Sequence, residues 1–276
     1  MPRLIKNGQS NLHLMRNKVI HRETSSSTKI FDDRTLAVDY KHLRALLHPG
    51  MSVLDVGCGT GSITKDIADI VGPLGKVIGI DNTEKFISTG KQNFGHMDNM
   101  ELIAIDLFRY QPAEPFDLIV SARTMQWLNN VPEALVKMKS MLKEGGVLSI
   151  LDYNHKRIQW TPEPPAVMKK FYAAFLKWRE AAGMNNQVAD DLPKLLKDAG
   201  FHNIETINAD EHYARGEENF VFRAGIWSAV AAIKQIADEG FISEEERLQA
   251  IQEYDEWVLT KAQTMTVRLN EIRGKK

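Results

Sequence analysis

Residues 53–64 read VLDVGCGTGSIT. A short strand-like run carrying Asp55 is followed by glycines at alternate positions, Gly57, Gly59 and Gly61, and then by a helical pattern. Glycine has no Cβ, so the chain turns tightly here and a ligand can come close to the backbone. The helix that follows aims unpaired N–H groups at the same spot. Such a turn suits a nucleotide-like or anionic ligand. It departs from the dinucleotide fingerprint G-x-G-x-x-G/A, because the third glycine arrives one residue early and Ser62 takes the final position. The Gly-Lys-Ser/Thr of a phosphate-binding loop is absent as well.

Working outward, short apolar runs alternate with helical patterns from about residue 43 to 151. The pattern predicts strands over 51–56, 76–80, 100–105, 116–121 and 147–151. It predicts helices over 63–71 and 84–93, and a third from Pro132 to Gly145-Gly146. Alternation of this kind implies an α/β fold, a mostly parallel sheet with helices on both faces. After Asp152 the pattern changes. Residues 157–166 hold Trp160, Pro162, Pro164 and Pro165 and read as a linker. Further helices are expected around Met168–Trp178, 190–199, 226–236 and 248–258, with strands near 203–207 and 264–272.

Composition sets bounds. The 276 residues are 43% hydrophobic and 26% charged, as in an ordinary globular protein. A net charge of −1 supplies no electrostatic reason to expect a nucleic-acid partner. Cys58 is the only cysteine, so there is no intrachain disulfide and no cysteine-built metal site, and no metal is expected. No apolar run approaches the roughly 20 residues of a membrane span. The segment MPRLIKNGQS lacks the apolar core of a signal peptide. The expectation is a cytoplasmic protein with no membrane partner.

Asp81 closes the second predicted strand, about 20 residues beyond the turn, where a carboxylate can accept both hydroxyls of a ribose. VLDVGCGTG, GIDNTEKFI, AIDL, FDLIVSARTMQWL and LKEGGVLSILD then recur in order over residues 40–152. The set resembles the motifs of class I S-adenosylmethionine-dependent methyltransferases. That resemblance implies a Rossmann-like sheet of seven strands, the last antiparallel and inserted beside the sixth. It implies a domain over 41–276 with helical cap insertions at about 153–187 and 209–262, and an N-terminal lid segment over 1–40. It also implies S-adenosylmethionine as cofactor. Gly57, Cys58, Gly59 and Gly61 would pass under its methionine part, with Asp55 near the amino group and Ser121 nearby. Asp81 would meet the ribose hydroxyls, with Asn82 alongside the adenosine, and Asp106 the adenine amino group, with Leu107 against the ring. Cys58 reads as a small filler and not a nucleophile.

The acceptor is less legible. His155 and Tyr153 follow the fifth strand; His155 is a candidate base and Tyr153 a candidate substrate-orienting group. Gln126 and Trp127 match a position that often borders the transfer site, and His13 and His21 could reach it from the lid. Trp160, Trp178, Trp227 and Trp257 lie outside the common core, either as a lid over an organic acceptor or as the packing of added helices. The fourth-strand exit reads SART and not Asn/Asp-Pro-Pro-Tyr/Phe, which turns the expectation toward O- or C-methylation of a small metabolite. A protein or tRNA methyltransferase and a non-catalytic binding protein stay open as alternatives.

Overall fold

The computed structural model describes residues 34–276. His13, His21 and nearly all of the expected lid segment lie outside the described residues. The last part of that segment forms a short helix, α1 (Leu36–Asp39), capped by the Thr35 hydroxyl, which accepts from the Val38 N–H.

Five strands make the parallel part of the sheet: β1 (Ser52–Val56), β2 (Lys76–Asp81), β3 (Met100–Ala104), β4 (Phe116–Ala122) and β5 (Leu142–Thr161). They lie in the order β3-β2-β1-β4-β5. The chain adds β6 (His202–Asn208), β7 (Glu211–Ala214) and β8 (Thr264–Lys275). β8 runs antiparallel to β5 and carries both β6 and β7 on its other edge.

Among the described residues the sheet therefore has eight strands and not seven. β6 pairs only with the C-terminal half of β8, ending at Asn208 opposite Asn270. At the break, Asp210 accepts from the Leu269 N–H and pairs with Arg268. β7 then covers the rest of that edge, so the segment expected to be purely helical begins with a strand. β5 is also longer than expected, because Gln159, Trp160 and Thr161 pair with the start of β8. The helix expected to end at Gly145-Gly146 stops at Ser140. Leu142 already pairs with Phe116 and Val147 with Leu118, so residues 143–146 bulge out between them, with Gly145 at φ +75°.

Around the sheet lie α2 (Ser62–Val71), α3 (Glu84–Phe94), α4 (Val131–Ser140), α5 (Ala166–Ala181), α6 (Val188–Asp198), α7 (Phe220–Ala224), α8 (Ile226–Ala231), α9 (Gln235–Asp238) and α10 (Glu244–Thr260). Successive strand residues point to opposite faces. Val53, Leu118, Val120 and Leu151 pack with Ile67 of α2 and Phe171, Phe175 and Trp178 of α5. Leu54, Ile119, Leu148 and Ile150 pack on the other face with Leu135 of α4 and Leu192 and Leu196 of α6. Both faces are thus buried, as a central parallel sheet requires.

Two tryptophans outside the common core have partners among the helices. Trp178 donates to Glu239 at 2.9 Å and Trp160 to the Tyr254 hydroxyl at 3.1 Å. Residues 220–238 have the length and hydropathy of a membrane-crossing helix, unlike the sequence expectation. They fold as the three short helices α7, α8 and α9, separated by turns.

Candidate active site

At the carboxyl ends of β1, β2 and β4 the structure opens into a cavity of about 970 Å³. That is the crevice where open α/β sheets bind ligands, and its volume is at the top of the usual range for such sites. The glycine turn is hooked to the end of β2: the Gly57 and Cys58 N–H groups both donate to the Ile80 carbonyl, at 2.8 and 3.1 Å. Asp81 completes the hook. Its Oδ2 accepts from the Gly59 N–H at 3.1 Å and its Oδ1 from the Thr83 N–H at 2.8 Å.

Gly57 sits at φ +77°, and a Cβ there would lie 2.1 Å from the Thr124 hydroxyl oxygen. Gly57→Ala is accordingly expected to destabilise the protein by about 2 kcal/mol, combining left-handed strain with the displacement of Thr124. Urea unfolding checks this; an unchanged midpoint would mean that the turn relaxes freely.

Asp55 is buried and accepts from the Thr64 hydroxyl at 2.6 Å. Burial pushes its carboxyl up to about 6; Asp81 adds to the rise while the Thr64 hydrogen bond opposes it. Asp106, just past β3, accepts from the Phe108 N–H at 2.9 Å. Leu107 is buried beside it, and Asn82 is exposed at the rim. All four line the cavity, as do Asp81, Gly57, Gly59 and Cys58. Burial, reinforced by Asp55 and Asp81, pushes the Cys58 thiol well above its ordinary range, which suits a filler and not a nucleophile.

Two of the expected cofactor residues do not reach the cavity wall. Gly61 starts α2 in the left-handed conformation and faces Leu102 and Met100. Ser121 is fully buried and donates to the Val56 carbonyl at 2.8 Å, tying β4 to β1.

Gln126 and His155 meet. The Gln126 backbone N–H donates to Asp152 at 3.1 Å, and its carbonyl accepts from Arg179 at 2.7 Å. Its side-chain Nε2 donates to the Arg123 carbonyl at 3.1 Å. The remaining amide oxygen faces His155 Nε2 at 2.5 Å. An amide oxygen only accepts, so His155 carries its proton on Nε2, and Nδ1 is its basic nitrogen. Burial, with Arg179 adding to it, holds the imidazole well below its ordinary range, so it is neutral at pH 7. Burial also pushes the Asp152 carboxyl up to about 6, against hydrogen bonds from the Tyr153 and Gln126 N–H groups. The Arg179 guanidinium lies 4.9 Å from the Trp127 ring centre and 5.3 Å from that of Phe175.

Tyr153 leads to a group that sequence reading missed. Arg123 Nε donates to the Tyr153 hydroxyl at 2.8 Å and Nη1 to the Asp39 carbonyl at 3.0 Å, while Nη2 pairs with Glu211. Arg123 is buried and stands at φ +57°, a backbone conformation that is uncommon outside glycine. Asp39 pairs with Arg223 at 2.6 Å, and the Tyr213 hydroxyl donates to Glu211 at 2.7 Å. Arg123 was visible as the third letter of SART, but its partners come from positions 39, 153 and 211, and no local pattern links them.

Residues 47–208 match the family model described as a methyltransferase domain. Demethylmenaquinone methyltransferase of Staphylococcus aureus is 31% identical over 178 residues, covering 56% of this chain and 69% of that enzyme. Among solved structures, phosphoethanolamine N-methyltransferase 2 of Haemonchus contortus, in complex with phosphomonomethylethanolamine and S-adenosylhomocysteine, matches with a TM-score of 0.56 at 15% identity. The match covers 87% of this chain and 52% of that one, so the chain spans about half of that enzyme's length. The cyclase SpnF matches with a TM-score of 0.52 at 17% identity, over 91% of this chain and 81% of that one. At such identities the likeness is one of fold, and a cyclase among the neighbours shows that the fold hosts other chemistry.

The residues on the wall suit S-adenosylmethionine. Asp81 offers two acceptor oxygens for vicinal hydroxyls, Asp106 offers one for an amino group, and the buried Asp55 offers a counter-charge for an ammonium. With a methyltransferase domain matched over more than half its length and these carboxylates gathered around the glycine turn, the chain belongs to the class I S-adenosylmethionine-dependent methyltransferase family.

Proposed function

We propose that this enzyme methylates a small organic acceptor, at oxygen or carbon, inside the same cavity that holds its methyl donor. The observation that carries this reading is the continuity of that cavity. Its wall runs from Gly57, Asp81 and Asp106 to a second, aromatic group made of Trp127, Tyr153, Phe175 and Trp227. S-adenosylmethionine supplies an activated methyl group, and the protein's share is alignment and exclusion of water. In this reading Asp81 and Asn82 hold the ribose, Asp106 and Leu107 the adenine, and Asp55 the amino group. Ser121 and Gly61 act behind them, keeping β1 and the turn in place. α7 and α8 help wall the acceptor end through Phe222, Ile226 and Trp227. The name of the staphylococcal relative, an enzyme of a quinone-type acceptor, is in keeping with an aromatic pocket. His155, neutral and with a basic Nδ1, serves as the base wherever the acceptor must lose a proton.

Asp55 makes binding pH-dependent. The free protein holds this carboxyl protonated below about pH 6, whereas an ammonium beside it favours the charged form. Binding of S-adenosylhomocysteine below that pH therefore releases a proton, and affinity falls by up to about tenfold per pH unit as pH drops from 6 to 5. Calorimetry in two buffers of different ionisation enthalpy checks both effects; equal affinity at pH 5 and 7 would place the amino group elsewhere.

The function itself is tested by a turnover screen with S-adenosylmethionine over pools of small metabolites, reading S-adenosylhomocysteine release. Release that depends on an added small molecule supports the reading. Methylation confined to added protein or RNA would overturn it.

A further inference from the structure

The Tyr153 hydroxyl has one proton and two lone pairs, and the structure accounts for only part of that capacity. Arg123 Nε donates to it at 2.8 Å, which occupies a lone pair. Among the described residues no acceptor takes the Tyr153 proton. Glu211, the nearby carboxylate, is already engaged by Arg123 on one oxygen and by the Tyr213 hydroxyl on the other. Burial pushes the Tyr153 hydroxyl above its ordinary range and Glu211 adds to this, against the opposing pull of Arg123. The group is therefore a donor at neutral pH, and it lines the cavity.

Arg123 is built to hold it there. Its three hydrogen-bonded directions are committed to Tyr153, to the Asp39 carbonyl and to Glu211, and its backbone is fixed at φ +57°. The neighbouring wall is made of rings. The centre of His155 lies 5.3 Å from that of Tyr153, and His155 stands edge-on to Phe175 at 5.7 Å and to Trp227 at 6.0 Å. Such a wall suits a flat apolar body with one polar substituent.

Resting on the methyl-transfer reading above, we infer that Tyr153 reads the acceptor: its hydroxyl, positioned by Arg123, donates to an oxygen on a planar ring, and the acceptor class is a ring hydroxyl or oxo compound. Lone pairs exclude the amine alternative. An amine nitrogen has a single lone pair, which methylation consumes, so it cannot also accept from Tyr153. An oxygen keeps a second pair, and a ring carbon that is methylated leaves the adjacent oxygen free to accept.

The test uses naphthol, naphthylamine and naphthalene, three ligands of nearly equal shape, titrated calorimetrically into the full chain saturated with S-adenosylhomocysteine. Naphthol is expected to bind about tenfold more tightly than naphthalene, the upper range for one hydrogen bond, and more tightly than naphthylamine, whose lone pair is drawn into the ring and accepts poorly. Tyr153→Phe brings that ratio close to one while S-adenosylhomocysteine still binds as before. Arg123→Gln lowers the same ratio, which a general loss of packing would not do because all three ligands would weaken together. Equal binding of naphthol and naphthylamine, survival of the preference in Tyr153→Phe, or no binding of any of the three overturns the assignment. An amine that proves to be the turned-over acceptor would leave small-molecule methyl transfer standing and sink this inference alone. Failure of S-adenosylhomocysteine to bind would remove the reading beneath it.

Discussion

Asp81→Ala is expected to lower the affinity for S-adenosylhomocysteine by at least about 100-fold. The carboxylate closes β2, where its oxygens take the Gly59 and Thr83 N–H groups and hold the glycine turn against the strand end. In the proposed binding mode the same oxygens accept from the two ribose hydroxyls. Hydrogen bonds to a charged group contribute about 1.5–3 kcal/mol each, so losing two corresponds to between about 100-fold and about 20,000-fold in affinity. Asp81→Asn retains one acceptor oxygen and is expected to lie between wild type and alanine. Isothermal titration with all three proteins gives the ranking, and a melting curve of each separates loss of binding from loss of fold. Affinity within a few fold of wild type in a folded Asp81→Ala protein would show that the ribose is held elsewhere.

Arg123→Met is expected to destabilise the protein by about 3–5 kcal/mol, the usual consequence of removing one partner from a buried ion pair. The side chain is 3% exposed and its partner Glu211 19% exposed, so water can replace the lost contacts only in part. Methionine fills a similar volume but leaves Glu211 without its ion-pair hydrogen bond, keeping the Tyr213 hydroxyl and the charges of Arg34 and Arg223 nearby. Adding Glu211→Gln should recover part of the loss, because the double variant no longer buries a lone charge. Urea unfolding of the two single variants and the double variant completes the cycle. Strict additivity would mean that Arg123 and Glu211 do not act as a pair.

The glycine-turn half of the cavity was legible because each of its parts is written in a short local stretch. A glycine turn, a carboxylate at the end of the next strand and another after the third strand are each local, and the parallel sheet brings strand ends together. Asp55, Asp81, Asn82, Asp106 and Leu107 accordingly share one wall. Ser121 shows the limit of that reading. Its position at the strand end is right, but strand residues alternate in direction, and its hydroxyl turns toward β1. The helix limit at Gly145 failed for a related reason: glycine marks a left-handed residue, and a strand bulge uses one as readily as a helix end does.

The aromatic half of the cavity was hardly legible. Gln126 and His155 were each visible as polar residues near strand exits, but the tautomer of His155 depends on a contact across 29 positions. Tyr153 acquires its partner across 30 positions and Arg123 its carboxylate across 88. The eighth strand was missed because Glu211–Ala214 is short and gains its pairing from β8, more than 50 residues onward.

By itself, then, the sequence determined the α/β class, the order of the first five strands in the chain, the glycine turn and the carboxylates that share its cavity wall. Those features follow from periodicity and from steric rules acting within a few residues. Tertiary structure alone decided which residues form the aromatic wall of the cavity, which nitrogen of His155 is basic and which tryptophans reach the cavity. Hydrogen-bond direction and burial depend on groups that the fold brings together from distant parts of the chain, and no local spacing records them.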